Sequence, residues 1–204
     1  MNKENRLPVS VKDVMRKKGR LFVVSGPSGC GKTTLCDALL RQRMGLARSV
    51  SVTTRQPRGK EKNKKDYFFT SMRAFKKMLA RQGFLEHAEV FGNYYGTPKQ
   101  FVEKNLKSGR DILLNIDVRG AAQIRRAHKD AVLIFILPPS MADLRNRLLG
   151  RLTDTDQQIR QRLFIAKKEL EAVGLYDYYV VNNKIGAAVN ELKHIISASR
   201  RKIS

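Results

Sequence analysis

Five short, nearly continuous apolar runs punctuate the chain: LFVVS at 21–25, SVSVT at 49–53, ILLNI at 112–116, VLIFIL at 132–137 and YYVV at 178–181. Runs of this length, rich in β-branched residues, suit strands covered on both faces. Between them apolar residues recur at helical spacing: Leu35, Ala38 and Leu39 after the first run, Ala121, Ile124 and Ala127 after the third, and Leu144 and Leu148 after the fourth. Strand and helix in alternation predict an α/β fold, a parallel sheet wrapped by helices. Ser140 is expected to start a helix with Asp143 three residues on, the spacing at which two side chains satisfy each other's amides. Gly45, Gly83 and Gly109 are expected to close helices in the left-handed conformation. The rhythm breaks between about 54 and 100, where DYFFTS, FLEHAEVF and NYYGTP read as short strands around one helix at 71–81. This stretch predicts an inserted lobe, with RGKEKNKKD at 58–66 as a charged loop.

A chain of 204 residues is long enough to bury one substantial core. Its apolar fraction is 42%, but no uninterrupted apolar run reaches the roughly 18 residues of a membrane-spanning helix, so no membrane association is expected. The first twenty residues, with KDVMRKKGR, lack a secretory apolar stretch and read as a basic arm. Cys30 and Cys36 are the sole cysteines and neither belongs to a cluster at metal spacing, which fits a reducing cytoplasm. Forty-one basic against eighteen acidic side chains give a net charge of +23, enough to draw polyanions by the long-range field. Charge alone does not choose among nucleotide, nucleic acid and anionic lipid. The chain lacks a recognition helix or an aromatic-rich strand motif, so no specific nucleic-acid partner is expected. Self-association is left open.

GPSGCGKT, Gly26 to Thr33, fits the pattern of glycine, four residues, then Gly-Lys and a hydroxyl residue, and it lies between an apolar strand and a helix. Glycines let such a loop curl its amides inward, and the following helix adds partial positive charge, so the pair grips the phosphates of a nucleoside triphosphate. Lys32 is placed to reach the β- and γ-phosphates and Thr33 to ligate Mg²⁺. Asp117, in LLNIDVRG, ends a strand where a metal or substrate sits in such folds; helix capping is its other reading. Arg55 and Arg58 stand three apart in TTRQPRG, and two planar guanidinium forks can hold a second phosphate from two sides. Tyr67, Glu86, Tyr95 and Thr97 come from the same stretch. A carboxylate beside a hydroxyl can accept the N1 and N2 hydrogens of guanine, whereas adenine presents the opposite edge, so Glu86 predicts a guanine preference.

These motifs together resemble guanylate kinase, a family of P-loop enzymes that move the γ-phosphoryl of ATP to GMP. The resemblance spans roughly residues 20–198. It implies a P-loop core with a five-stranded parallel sheet flanked by helices (19–53, 102–140 and 172–204), a GMP-binding lobe at 54–101 and a mobile lid at about 141–171, preceded by the basic arm 1–18. The implied substrates are ATP with GMP or dGMP, with Mg²⁺ as cofactor, in purine nucleotide metabolism. The implied ATP site comprises Gly26, Pro27, Ser28, Gly29, Cys30, Gly31, Lys32, Thr33 and Thr34 with Arg147 and Asn182. GMP phosphate contacts fall on Arg55, Arg58, Tyr67 and Tyr95, and base contacts on Ser51, Glu86 and Thr97, with Asp117 near GMP and metal. Thr33 and Asp117 would hold the metal, the latter through water. Catalytic roles fall on Lys32, Arg58, Asp117 and the lid arginines Arg151 and Arg162.

The sequence also departs from that family's pattern. Asn115 stands where an acid is usual, Lys60 and Lys64 where glycines are common, Leu152 for the lid glycine, His87 for an aromatic and Asn183 for an acid. Three other readings use the same residues: a kinase-like module binding phosphorylated peptides without turnover, a nucleic-acid binder using the basic surface, and a kinase for another phosphorylated acceptor. An intact loop with Lys32 counts against the first, and salt-sensitive DNA or RNA affinity would mark the second.

Overall fold

The computed structural model describes residues 18–150 and 155–202, so the basic arm through residue 17, Arg151 and Leu152 lie outside the described residues. In chain order the elements are β1 (Leu21–Ser25), α1 (Lys32–Arg41), β2 (Leu46–Arg48), β3 (Val52–Thr53), β4 (Phe68–Phe69), α2 (Met72–Ala80), β5 (Phe84–Val90) and β6 (Asn93–Pro98). They continue with α3 (Lys99–Lys107), β7 (Asp111–Asn115), α4 (Val118–Ala127), β8 (Val132–Leu137), α5 (Met141–Leu149), α6 (Asp156–Leu170), a 3₁₀ turn (Glu171–Leu175), β9 (Tyr178–Val181) and α7 (Ile185–Arg201).

Five strands in the order β2-β7-β1-β8-β9, all parallel, form the central sheet. Alternation along β1 divides the core. Phe22 and Val24 pack with Leu113, Ile134, Ile136 and Val180 against Leu35 and Leu39 of α1 and Leu192 and Ile196 of α7. Leu21 and Val23 pack on the other face with Ile112, Leu114 and Leu133 against Val102 of α3 and Ala121 and Ile124 of α4. Sheet faces buried on both sides explain why these strands read as unbroken apolar runs.

One expected core strand is placed differently. SVSVT does not join the central sheet: Leu46–Arg48 pairs with β7 there, and the pairing part of SVSVT shrinks to Val52–Thr53, which lies in a second sheet of order β4-β3-β6-β5. Arg48 and Ala47 offer no apolar alternation, because this edge strand is half-exposed; its pairing with Asp111–Leu113 is set by the backbone. The second sheet closes over Phe75, which stacks on Phe84 at 4.5 Å between ring centres, and over Val52. Ser71 caps α2 by accepting from the Ala74 amide.

Two smaller expectations also change. At the end of α2 the left-handed residue is Gln82 (φ 53°), not Gly83; the Gly83 amide instead donates to the Met78 carbonyl. Ser140 caps α5 by accepting from the Asp143 amide at 3.0 Å, but the Asp143 carboxylate answers through the Ser140 hydroxyl rather than through its amide.

The lobe is pinned to the core by a side-chain amide acting as a strand. Gln123 of α4 donates to the His87 carbonyl at 2.6 Å and accepts from the His87 amide at 3.2 Å, while Arg119 donates to the Glu89 carbonyl at 3.1 Å. Because Gln123 uses only backbone atoms of residue 87, an imidazole there leaves the joint unchanged. Among the described residues no helix is long and apolar enough to cross a membrane.

Candidate active site

The glycine-rich loop after β1, Asn115 and Asp117 after β7, and Asn182 after β9 lie at the carboxyl ends of the central strands, the crevice where parallel α/β sheets bind ligands, while Arg55, Glu86 and Thr97 come from the second sheet. After β1 the chain turns through Gly26, Gly29 and Gly31 with φ of 138°, 94° and 93°, values that side chains resist, and Gly31 caps α1. Two of these glycines are also forced by space. A Cβ on Gly26 would lie 2.5 Å from the Ile136 carbonyl oxygen, and one on Gly31 would lie 2.3 Å from Asn182 Nδ2. Lys32 folds back so that Nζ donates to the carbonyls of Gly26 at 2.6 Å and Pro27 at 2.9 Å. Thr33 and Thr34 open α1 and are exposed. Cys30 and Cys36 are free, buried thiols, and burial pushes Cys36 up to about 12, which keeps that thiol protonated.

Asn182, just past β9, donates to the Cys30 carbonyl at 2.8 Å, and Arg147 of α5 donates to the Asn182 carbonyl at 2.7 Å and to that of Cys30 at 3.4 Å. These two residues therefore brace the outer half of the phosphate loop. Helices α5 and α6 pack over the same loop: a Cβ on Gly29 would meet Leu148 Cδ2 at 2.9 Å, and Arg162 of α6 lies 3.5 Å from the Ser28 hydroxyl.

The expected second anion pocket centres on Arg55, which is buried except for 8% of its surface. Its Nε donates to the Tyr95 hydroxyl at 3.2 Å, its NH1 to the Gln56 carbonyl at 2.7 Å, and its NH2 to both Glu61 oxygens at 2.9 and 3.0 Å. Tyr67 packs beneath, its ring centre 5.4 Å from the guanidinium carbon. Burial opposes the charge on both partners, yet the hydrogen bonds between them prevail: Arg55 is raised and Glu61 lowered. The Arg58 side chain is exposed at the pocket's rim, and its amide donates to Glu61 at 2.8 Å. The Ser51 carbonyl accepts from the Phe68 amide at 2.9 Å, a backbone bond that extends the β3–β4 pairing.

Deeper in the cleft Glu86 is 4% exposed and accepts from the Thr97 hydroxyl at 2.6 Å. Burial, with the nearby Asp117 charge adding to it, pushes Glu86 up to about 7 against that hydrogen bond. Asp117 caps α4, accepting from the Gly120 amide at 2.8 Å, so the capping reading holds for one of its oxygens. Burial raises its carboxyl, opposed by the Gly120 bond and Lys32. Gly120 is the spacer between the two acids: a Cβ there would lie 2.3 Å from Glu86 Oε2 and 3.1 Å from Asp117 Oδ1. Asn115 donates to the Thr33 hydroxyl at 3.1 Å, the oxygen that the sequence motif assigns to a metal.

Three participants escaped sequence reasoning. Glu61 sits in a charged loop that reads as solvated surface. Glu169 of α6 is a half-buried carboxyl, raised by burial and opposed by Lys32 and the Ser28 amide, in a helix whose acids and bases look alike in sequence. Phe91 follows the last residue of β5, and its ring lies against Arg162, 4.9 Å from ring centre to guanidinium carbon. The signal for Phe91 was present: VFGN between two strands is a two-residue hairpin with a bulky residue where asparagine or glycine is favoured.

Comparison with known proteins agrees with this geometry. The guanylate kinase family model matches residues 18–199. A guanylate kinase of Caldanaerobacter subterraneus is 46% identical over 189 residues, covering 93% of this chain and 92% of that protein. One of Neisseria meningitidis is 48% identical over 188 residues, with 92% of each chain covered. The crystal structure of guanylate kinase from Anaplasma phagocytophilum superposes with a TM-score of 0.79 at 35% identity, covering 93% of this chain and 90% of that one. With the phosphate loop, the arginine pocket and the buried Glu86 in one cleft, and the match running nearly end to end, the chain belongs to the guanylate kinase family.

Proposed function

We propose that the protein transfers the γ-phosphoryl group of ATP to GMP, and to dGMP, giving ADP and the guanosine diphosphate in the cytoplasm as a step of purine nucleotide metabolism. The observation that carries the reading is the pairing of two anion pockets with a buried carboxylate: the Gly26–Thr33 loop on one side, Arg55 with Tyr95 on the other, and Glu86 held by Thr97 between them. Ionised Glu86 accepts the N1 and N2 hydrogens of guanine, and the Thr97 hydroxyl fixes its plane.

A phosphate oxygen of GMP attacks the γ-phosphorus of ATP as the bond to the β-bridging oxygen breaks, and ADP leaves with that electron pair. No general base is needed, because a phosphate with its second pKa near 6 already carries a free oxygen at neutral pH. The chain's work is to align the two phosphates and offset charge on the moving group. Lys32 exchanges its two carbonyl partners for the β- and γ-phosphates. Arg55 and Arg58 hold the acceptor phosphate, and Arg162, reached from the lid beside Ser28, meets the transferring group. Closing the lid excludes water that would hydrolyse ATP.

The residues present suit a magnesium ion brought in on the triphosphate. Thr33 offers a hydroxyl and Asp117 a carboxylate oxygen not used in capping, while the described residues contain no cluster of three or more His, Cys, Asp or Glu. Magnesium commonly keeps waters and binds one or two protein oxygens plus substrate phosphates, so this sparse set is sufficient. When bound, the ion would offset charge on the β- and γ-phosphates. The test is ADP release with GMP, dGMP, AMP, CMP and UMP in turn: GMP and dGMP turn over far faster than the rest, and equal rates for all five would refute the assignment.

A further inference from the structure

The hairpin joining β5 to β6 turns through two residues, Phe91 and Gly92, between the paired Val90 and Asn93. Both are left-handed, with φ of 50° and 73°, as a primed two-residue turn requires. Asparagine or glycine adopts that conformation readily at the first position; phenylalanine does not. Nor does packing explain the residue, since Phe91 is 40% exposed and belongs to none of the buried clusters. Its ring instead faces Arg162 of the lid, 4.9 Å from the guanidinium carbon, and that arginine also reaches Ser28 of the phosphate loop at 3.5 Å. Acceptor lobe, lid and phosphate loop thus meet at one guanidinium that is 8% exposed. An aromatic face suits this place because it attracts a cation through the ring's face, independently of the N–H hydrogen bonds the guanidinium makes.

We propose that Phe91 is a positioning residue that holds Arg162 over the phosphate loop. Because Phe91 rides on the acceptor lobe, the position of that lobe and the placement of Arg162 are coupled. This inference rests on the reading of Arg162 as the arginine that meets the transferring phosphoryl group.

Phe91→Asn tests it without endangering the hairpin, because Asn-Gly suits the turn better than Phe-Gly. Expected is a melting temperature at or above that of the wild type and a kcat with GMP about five- to tenfold lower, with KM for ATP and GMP changed less than about twofold. Phe91→Tyr should restore the rate, and in an Arg162→Ala background Phe91→Asn should cost nothing further. Wild-type kcat in Phe91→Asn, or the same loss with Arg162 removed, overturns the proposal. A readout independent of turnover uses the absence of tryptophan from the chain. Phe91→Trp places a single indole at the contact, and acrylamide should quench it about twofold more strongly once Arg162→Ala is added; unchanged quenching overturns the contact itself. Failure of the wild type to phosphorylate GMP would instead refute the proposed function, while the quenching comparison would still decide the contact.

Discussion

The proposed role of Glu86 in reading guanine predicts that recognition depends on pH. Its carboxyl, 4% exposed, is pushed up to about 7 by burial and by Asp117, yet accepting two guanine hydrogens requires the ionised form. With a pKa of about 7, roughly nine-tenths of the sites are ionised at pH 8 and roughly 3% at pH 5.5, so GMP affinity should fall about thirtyfold across that range. GMP titrates as well, since its phosphate has a second pKa near 6. Glu86→Gln separates the two effects, because the mutant keeps the phosphate's titration and loses the carboxylate's. Calorimetric titration with GMP at both pH values should show the wild type losing ten- to thirtyfold more affinity than the mutant. Stability moves in the opposite direction. The folded-state pKa of about 7 lies above the ordinary 4.5, so the protonated form contributes stability that is complete below about 4.5 and lost as pH rises through 7. The gap of some 2.5 units corresponds to roughly 3 kcal/mol, which Glu86→Gln should remove from the pH dependence of unfolding in urea. Parallel pH profiles of wild type and mutant in GMP binding would refute the argument.

The other predictions address single contacts. Gly120→Ala drives a methyl against Glu86 Oε2 and Asp117, and should raise KM for GMP about tenfold while leaving KM for ATP within about twofold; equal effects on both would show general damage to α4. Lys32→Ala should abolish phosphoryl transfer yet change the calorimetric affinity for GMP less than about threefold, and loss of both together would contradict separate pockets. Glu61→Gln frees the buried Arg55 fork from its fixed orientation and should raise KM for GMP about three- to tenfold. Since Glu61 is held below the ordinary carboxylate range, this effect should be the same at pH 6 and pH 8, unlike that of Glu86, and a pH-dependent ratio would count against it.

How far the sequence speaks depends on whether a residue's role is local. The phosphate loop was legible because glycine spacing dictates backbone curvature, and the structure shows the three positive φ angles that the spacing implies. β1, β7 and β8 were legible because burial on both faces writes an apolar run, and β9 because its residues are β-branched and aromatic, although only Val180 is buried. The fifth, Leu46–Arg48, was not, since a three-residue edge strand has one half-exposed face and takes its register from β7. SVSVT misled because β-branched residues favour any sheet, and the smaller sheet claimed Val52 and Thr53. Glu86 was recognisable by chemistry, but its burial and its Gly120 spacer required the tertiary fold, since residues 86 and 120 meet only across the lobe–core joint. Asn182 reads as an adenine-side contact, and its amide nitrogen also braces the loop at Cys30, a role that no local pattern encodes.

The two pockets hold their cations by different means, and the difference suits their tasks. Lys32 rests on two neutral carbonyls of its own loop, partners that a triphosphate bearing several negative charges readily outcompetes. The lysine is thereby shielded from misplacement without being committed. Arg55 is fixed on three sides by a phenol, a carbonyl and a bidentate carboxylate, and an incoming monophosphate cannot cheaply displace a buried ion pair. On the proposed function, GMP would add to a guanidinium already oriented, using its remaining NH1 hydrogen and the exposed Arg58, whereas ATP binding would rearrange the lysine. An acceptor site set in advance and a donor site that adjusts favour capture of GMP in one geometry, against which the mobile γ-phosphate is then brought into line.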